Sequence, residues 1–359
     1  MQRSHTSASA LTDYEAAISQ GDMKARKKSL FGAALLLFLT HASADAQRGV
    51  PRVASQNSAE PILLTVTVTN ERGEFVTGLK QDNFKVLVDK APAKIVSFSD
   101  SDAPASIGIL FDTSGSMKDF RHEASTKLEI LKNALARFLE LSNKANDYFV
   151  LSFAKQPQLL SNWTYDPKTI MEKLGALKPQ GNTAFYDACY LGVKKVMEGQ
   201  YHKRAIILIS DGQDNESHYT YKQLRELVKE SNTLVYSVNV LINDYVTLGG
   251  GATQGVVTVP VRSLIGADGQ QILNELGWIS GGMAFYQEVT RVKPAEVKAF
   301  FEVIANELRH QYVIGIMPAD SAGPHKWRKI RINVSSANNA SREMKGLSVR
   351  TREGYYTPK

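Results

Sequence analysis

A short polar run after an apolar segment carries the side chains in this sequence best suited to bind a metal ion. Asp112-Thr113-Ser114-Gly115-Ser116 follows Ile107-Gly108-Ile109-Leu110-Phe111, an apolar run typical of a strand buried on both faces. A carboxylate and two hydroxyls on the turn supply oxygen ligands, which Mg²⁺ and other hard divalent cations prefer. Alone, such a run is more often a turn held by Asx and serine hydrogen bonds.

Two further polar segments complete the oxygen set. Gly181-Asn182-Thr183 supplies a third hydroxyl, although Thr183 alone suits a helix N-cap. Ser210-Asp211-Gly212, itself a common turn sequence, follows the apolar run Ala205-Ile206-Ile207-Leu208-Ile209 and supplies a second carboxylate. Ligands of a doubly wound sheet gather beyond the carboxyl ends of its strands, where both carboxylates are expected. The predicted metal ligands are Asp112, Ser114, Ser116, Thr183 and Asp211, with Mg²⁺ as the ion and Mn²⁺ or Ca²⁺ as substitutes.

The periodicity of apolar residues predicts the elements that position this site. Between 104 and 311, apolar runs alternate with segments of helical spacing, which predicts an α/β domain with a doubly wound, mainly parallel sheet. Residues 61–103 and 312–359 alternate with period two, which predicts antiparallel strands. Because neither flank has enough strands to be stable alone, we expect them to form one small β-sandwich around the inserted α/β domain.

Two segments near the sheet are predicted less directly. Residues 348–356 alternate as one strand, and the glycine-rich stretch 247–262 shows neither period. Loops of that length usually serve a function or are disordered, so partner contact and disorder both stay open for 247–262.

The N-terminal residues predict a secretory signal. Met23-Lys24-Ala25-Arg26-Lys27-Lys28 is a basic head, residues 30–39 are apolar, and His41-Ala42-Ser43-Ala44-Asp45-Ala46 offers a small-x-small cleavage site. About ten apolar residues are too few to span a bilayer. We expect translation to start at Met23 and cleavage to follow Ala46, within an N-terminal region of 1–46, leaving 47–60 as a linker of a secreted or periplasmic protein. The alternative is a short cytoplasmic tail before an uncleaved anchor.

Charge and cysteine content limit the partners. The formal net charge is +7, but the basic residues are scattered and no aromatic residues accompany them. This pattern indicates a solvated surface with affinity for acidic envelope components, and neither nucleic acid nor a membrane span after signal cleavage is expected. The single cysteine, Cys189, precludes an intrachain disulfide and lies at a helical position typical of a small buried residue.

Taken together, the three polar segments resemble the metal-ion-dependent adhesion site of von Willebrand factor type A domains. Thr183-Ala184-Phe185-Tyr186-Asp187-Ala188 and Ser280-Gly281-Gly282-Met283-Ala284-Phe285 also resemble that family, over about 104–311. Flanking features resemble its secreted acidobacterial subgroup, which has no settled function. They are Gly78-Leu79, Asp82-Asn83-Phe84 and Arg352-Glu353-Gly354-Tyr355.

The resemblance implies a role for each predicted ligand. Ser114 and Ser116 would bind the cation directly, and Thr183 would do so when a protein ligand is engaged. Asp112 and Asp211 would bind directly or through water. A Glu or Asp of a protein partner would replace a bound water, so the implied function is binding and not catalysis. The oligomeric state stays open.

Other interpretations concern residues near the predicted site. Asp187 is expected to form structural hydrogen bonds, and Asp214-Asn215-Glu216-Ser217 forms either an auxiliary cation site or a capped, solvated loop. Asp119 and His122 leave metal-assisted hydrolysis open, although no Gly-x-Ser-x-Gly, His-Glu-x-x-His or phosphate-binding glycine loop occurs. A third alternative is an envelope scaffold or assembly factor in which the metal is structural.

The signal prediction is tested by mapping the N-terminus of the protein purified from its native source. Cleavage by signal peptidase gives a first residue near Gln47. Recovery of peptides from residues 5–20 would contradict it, and tryptic coverage of residues 61–103 serves as the control for peptide detection.

Overall fold

The computed structural model describes residues 60–117, 127–242, 245–248, 257–260, 268–289, 293–317, 323–336, 339–343 and 346–358. The signal segment 23–46, Asp119 and His122 lie outside these residues. The strands are β1 (Ile62–Thr69), β2 (Phe84–Val88), β3 (Ala91–Pro92), β4 (Ile95–Ser99), β5 (Ser106–Asp112), β6 (Asp147–Phe153), β7 (Pro157–Thr164), β8 (Arg204–Ile209), β9 (Leu234–Ile242), β10 (Tyr245–Leu248), β11 (Val257–Pro260), β12 (Met283–Val289), β13 (Tyr312–Ile316), β14 (Trp327–Ser336), β15 (Asn339–Glu343), β16 (Ser348–Arg350) and β17 (Gly354–Tyr356). The α-helices are α1 (Lys127–Leu141), α2 (Pro167–Gly175), α3 (Phe185–Met197), α4 (Tyr221–Ser231), α5 (Asp268–Ser280) and α6 (Pro294–Arg309).

A six-stranded sheet in the order β12-β9-β8-β5-β6-β7 forms the centre of the α/β domain. Neighbouring strands are parallel except for β6 and β7, which are antiparallel. Side chains of α1, α2 and α6 cover one face, and those of α3, α4 and α5 cover the other. All residues of β5 are buried as a result. The predicted doubly wound, mainly parallel sheet is therefore confirmed.

The flanking segments form two antiparallel sheets with a common core. One has the order β16-β1-β13-β4, and the other has the order β15-β14-β2-β3, with β17 paired to β14. Each sheet contains strands from both flanks of the α/β domain, as the pairs Leu64↔Ile314 and Val86↔Ile332 illustrate. Because inward side chains of both sheets form one apolar cluster, the flanks make the small antiparallel β-sandwich that the fold class predicted.

The prediction of one strand over 348–356 is wrong. Strand β16 pairs with β1 in one sheet, whereas β17 pairs with β14 in the other. Between them, the buried Arg352 turns toward the end of α4, where its guanidinium donates to the carbonyl of Lys229 and to Oδ1 of Asn232. These helix-capping bonds satisfy the arginine where the chain leaves β16, so the alternating pattern continues across a change of sheet.

Sequence periodicity also missed the two-stranded sheet of β10 and β11 and the edge strand β7. Strands β10 and β11 pair antiparallel, so the expectation of irregular structure throughout 247–262 is wrong for residues 247–248 and 257–260. The β-branched run Val257-Thr258-Val259 favours a strand but is too short to show a period beside the glycines. The edge strand β7 pairs with β6 and is only half-buried, which obscures its pattern.

A buried polar cluster joins the α/β domain to the β-sandwich. Glu307 of α6 is only 1% exposed and accepts hydrogen bonds from the hydroxyls of Tyr236 in β9, at 2.7 Å, and Thr67 in β1, at 3.0 Å. Nε2 of Gln311 donates to the same carboxylate oxygen, which also pairs with the guanidinium of Arg350 in β16. The end of α6 is thereby fixed to both parts of the chain.

We expect Arg350→Met to lower the free energy of unfolding by about 3–5 kcal/mol, because it leaves the Glu307 carboxylate buried without its counter-charge. The double variant Glu307→Gln/Arg350→Met should be less destabilised than the two single effects predict, and urea unfolding of all four proteins measures the difference. Lys80→Met, which removes an exposed ion pair with Asp100, is the control and should change stability by less than about 1 kcal/mol. Additive effects of the two buried substitutions would contradict the coupling.

Candidate metal centre

The two predicted acidic ligands lie at one edge of the central sheet. Asp112 is the last residue of β5, and Asp211 comes shortly after β8, its parallel neighbour. The pairing of Phe111 with Ile209 aligns the ends of the two strands. Both carboxylates are buried, with Asp112 0% and Asp211 7% exposed. Sheet geometry therefore brings the two acidic residues together although they are distant in sequence: Ser210, directly before Asp211, lies 98 positions after Asp112.

The Asp112 carboxylate is oriented by hydrogen bonds to both of its oxygens. The main-chain amide of Ser114 donates to Oδ1 at 2.8 Å, and the hydroxyl of Ser210 donates to Oδ2 at 2.7 Å. The Ser210 hydroxyl in turn accepts a hydrogen bond from the amide of Gly212 at 3.0 Å. Ser210 is therefore a part of the site that the predicted ligand set missed, although its place directly before Asp211 was a signal for it.

Burial makes the ionised form of Asp112 unfavourable. Removal from water, and next the negative charge of Asp211, raise the pKa of Asp112 to about 6, against the lowering effect of hydrogen bonds from Ser114 and Ser210. A cation between the two carboxylates would offset their mutual repulsion. The electrostatics of this edge thus favour a positively charged ligand.

The serine hydroxyls fit the geometry of a small octahedral ion. Oγ of Ser114 and Oγ of Ser116 are hydrogen-bonded to each other at 3.0 Å. Adjacent ligands of an octahedral Mg²⁺, each about 2.1 Å from the ion, are separated by about 3.0 Å. Ser114 is buried and Ser116 is exposed, so the pair extends from the carboxylates toward solvent.

The chemical nature of the donors narrows the class of metal. Within the described part of the chain, no group of three or more His, Cys, Asp and Glu side chains is placed to hold a metal. A site at this edge would depend on hydroxyl and carboxylate oxygens, which suit Mg²⁺, Mn²⁺ or Ca²⁺ better than the N- and S-ligated metals.

The loop that carries Thr183 is bound to the loop that carries the serines. The amide of Gly115 donates to the carbonyl of Gly181 at 2.9 Å, and the amide of Gln180 donates to the carbonyl of Thr113 at 2.7 Å. The N-cap residue of α3 is Ala184, which has no side-chain capping bond, so the N-cap alternative for the buried Thr183 is wrong.

Close backbone packing holds the Asp211 loop in place. Gly212 has a φ of +78°, a conformation that favours glycine, and a Cβ at this position would lie 2.5 Å from the carbonyl oxygen of Gly269 in α5. The loop after Asp211 therefore packs directly against the first turn of α5, which requires glycine at Gly212.

The residues after Gly212 form a capped loop, one of the two predicted alternatives. Asp214 accepts hydrogen bonds from the amide of Tyr186 and the hydroxyl of Ser217. Asp187, in the first turn of α3, accepts from the amides of His218 and Tyr219 at 2.9 and 2.8 Å. The prediction that Asp187 forms structural hydrogen bonds is thus confirmed, and its carboxylate is committed to this loop. Cys189 is buried, as predicted.

Comparison with known proteins identifies the family of the region that holds the site. Residues 107–213 match the family model of the von Willebrand factor type A domain. Comparison with curated proteins finds no match. Within the described residues, we find no helix with both the length and the apolar composition to cross a bilayer.

Solved structures similar to this chain include BatB from Bacteroides thetaiotaomicron, with 16% identity, a TM-score of 0.43, and coverage of 57% of this chain and 98% of BatB. The VWA domain of SpRpn10 has 15% identity, a TM-score of 0.39, and coverage of 54% and 94%. The PilB minor pilin from Streptococcus sanguinis has 15% identity, a TM-score of 0.42, and coverage of 59% and 63%. Likenesses at this level do not bear on function.

The raised pKa of Asp112 predicts a pH-dependent stability of the protein freed of divalent cations. When the pKa of an acid rises from 3.8 to about 6 on folding, the folded state binds the proton more tightly than the unfolded state does. The resulting stability of the protein is fully present below pH 3.8 and is lost as the pH rises through 6. The loss amounts to about 3 kcal/mol. We therefore expect the free energy of unfolding of Asp112→Asn, relative to that of the wild type, to increase by up to this amount between pH 4 and pH 7. Urea unfolding measures it.

The matched control is Asp82→Asn, which alters an exposed aspartate of the β-sandwich. Its stability relative to the wild type should show no comparable change over the same pH interval. A parallel pH dependence of the wild type and Asp112→Asn would show that Asp112 does not titrate as described.

Proposed function

Because residues 107–213 carry a von Willebrand factor type A domain, we propose that this chain is a non-catalytic binding module that holds an acidic side chain of a protein partner through Mg²⁺. The proposed ligands are those predicted from the sequence, at the ends of β5 and β8 and before α3. The observation that carries the proposal is the pair of buried carboxylates, Asp112 and Asp211, beside two hydroxyls at the spacing of adjacent octahedral ligands.

Each residue has a distinct part in the proposed mechanism. Ser114 and Ser116 bind through neutral hydroxyls, while Asp112 and Asp211 supply the negative charge from the buried side of the site. Ser210 and the amide of Ser114 orient Asp112 and thereby restrict how it faces the ion. When bound, the divalent cation supplies an electrophilic position for one further oxygen ligand.

Exposure suggests the side from which the partner approaches. Asp112 and Ser114 are buried, but Ser116, Gly181 and Asn182 are exposed around the same loops. A partner carboxylate would reach the site over these residues and complete the coordination there. Like charge from Asp112 and Asp211 would repel that carboxylate without a cation, which makes the proposed contact dependent on the metal.

We extend the proposal to the location of the protein and to its alternatives. The signal segment supports a secreted or periplasmic module, where an acidic protein ligand would meet the site from outside the cytoplasm. An envelope scaffold with a structural cation and, less favoured, a metal-assisted hydrolase are the competing functions. They differ from the binding module in whether a partner contact requires the ion.

Calorimetric titration with MgCl₂ tests the metal site first. Ser114→Ala and Ser116→Ala each remove a proposed ligand, so we expect Mg²⁺ affinity to fall by at least about tenfold. Ser99→Ala, which removes an exposed hydroxyl of the β-sandwich, should bind Mg²⁺ as the wild type does. Wild-type affinity in both site variants would contradict the proposed ligands.

Partner binding is tested by retention of envelope proteins on the immobilised chain with Mg²⁺, with EDTA, and with Asp112→Ala. The proposal requires one and the same retained protein to be lost under the last two conditions, because the contact passes through the ion. Retention that survives both EDTA and Asp112→Ala would favour the scaffold. Hydrolytic activity that Ser114→Ala abolishes, without any retained protein, would favour the hydrolase.

A further inference from the structure

The loop that carries Asp211 is joined to Thr183 by a single residue, Asn215. Oδ1 of Asn215 accepts a hydrogen bond from the amide of Thr183 at 2.8 Å. The main-chain amide of Asn215 donates to the carbonyl of Thr183 at 3.0 Å. One residue thus holds both polar groups of the Thr183 main chain, and it lies four positions after Asp211 in sequence.

These two bonds leave the Thr183 side chain available. Both bonds engage the main chain of Thr183, a residue that is only 5% exposed. The next amide, that of Ala184, is fixed to the carbonyl of Ala154 at 2.7 Å. The main chain at Thr183 is therefore held from two sides, by Asn215 and by Ala154.

Neighbouring contacts between the same loops do not reach Thr183. Nδ2 of Asn182 donates to Glu216 at 2.8 Å on the exposed surface, and Tyr186 donates its amide to Asp214 at 3.1 Å. They hold the loops together on either side of the Asn215 contact. Asn182 consequently offers a matched control: the same residue type, the same pair of loops, and no bond to Thr183.

We propose that Asn215 is a positioning residue of the metal site, which fixes the Thr183 main chain so that the threonine hydroxyl faces the cation. The inference rests on the proposed function, since it assigns Asn215 a part in that same site. Asn215 is not itself a ligand in this arrangement, because its Oδ1 is engaged by the Thr183 amide. Because Asn215 is exposed, substituting it should leave the packing of the core unchanged.

The chemistry of the ion makes the role specific. Mg²⁺ requires near-ideal octahedral geometry with short bonds, whereas Ca²⁺ accepts variable geometry and longer bonds. Loss of the Asn215 side chain would release the loop and misplace the Thr183 hydroxyl. This would lower the affinity for Mg²⁺ more than the affinity for Ca²⁺. A general loss of stability would lower the affinities for both ions alike, so the ratio of the two affinities distinguishes a positioning role from a structural one.

The decisive experiment is calorimetric titration of the full chain with Mg²⁺ and, separately, with Ca²⁺. We expect Asn215→Ala to lower the affinity for Mg²⁺ by about tenfold, the equivalent of one hydrogen bond, and the affinity for Ca²⁺ by about threefold or less. Asn215→Asp keeps the acceptor oxygen and should bind Mg²⁺ at least as tightly as the wild type. Asn182→Ala should resemble the wild type with both ions.

Amide exchange in the chain freed of cations provides a readout independent of the metal. Asn215→Ala should accelerate exchange of the Thr183 amide by about tenfold, because the amide loses its acceptor, while Asn182→Ala should leave it unchanged. Wild-type Mg²⁺ affinity in Asn215→Ala, or equal losses for Mg²⁺ and Ca²⁺, would overturn the positioning role alone. A wild-type chain that binds neither ion would overturn the proposed function itself, whatever the exchange rates.

Discussion

The site depends on the burial of two acidic side chains next to each other at the carboxyl edge of a parallel sheet. Asp112 is fully buried, and the nearby charge of Asp211 adds to the cost of ionising it. A protein interior does not tolerate such a pair without a proton, a cation or dedicated hydrogen-bond donors. The surrounding structure supplies the donors through Ser114 and Ser210, and the hydroxyls of Ser114 and Ser116 lie 3.0 Å apart, the separation of about 3.0 Å expected for adjacent ligands of an octahedral Mg²⁺.

The remaining loops restrict the movement of this edge. Backbone hydrogen bonds join the segments around Thr113 and Gly181, and the glycine at Gly212 lets the Asp211 loop pack against α5. The capped loop after Gly212 then binds back to the start of α3 through Asp214, Asn215 and the buried Asp187. Each predicted ligand therefore stands on main chain that another loop holds, which reduces the entropy that would be lost on binding.

Sequence reasoning succeeded where periodic apolar patterns governed the structure. The runs at Ile107 and Ala205 became neighbouring buried strands, and sheet geometry placed Asp112 and Asp211 at one edge. It failed where a single side chain overrides the pattern: Arg352 divides an apparently continuous strand between two sheets. It also could not find the contact of Asn215 with Thr183, because that contact depends on the path of two loops distant in sequence and not on local propensity.

The way in which the α/β domain is inserted has a mechanical consequence. Its two connections to the β-sandwich are residues 100–105 and 310–311, and Asp102 of the first forms an ion pair of 2.8 Å with Arg309, the residue directly before the second. Both lie at the amino edge of β5, whose 7 residues separate that edge from the acidic residues by about 20 Å. A double tether permits far less rotation than a single linker does. A pull applied at the carboxyl edge of the sheet would therefore pass to the β-sandwich through both connections at once.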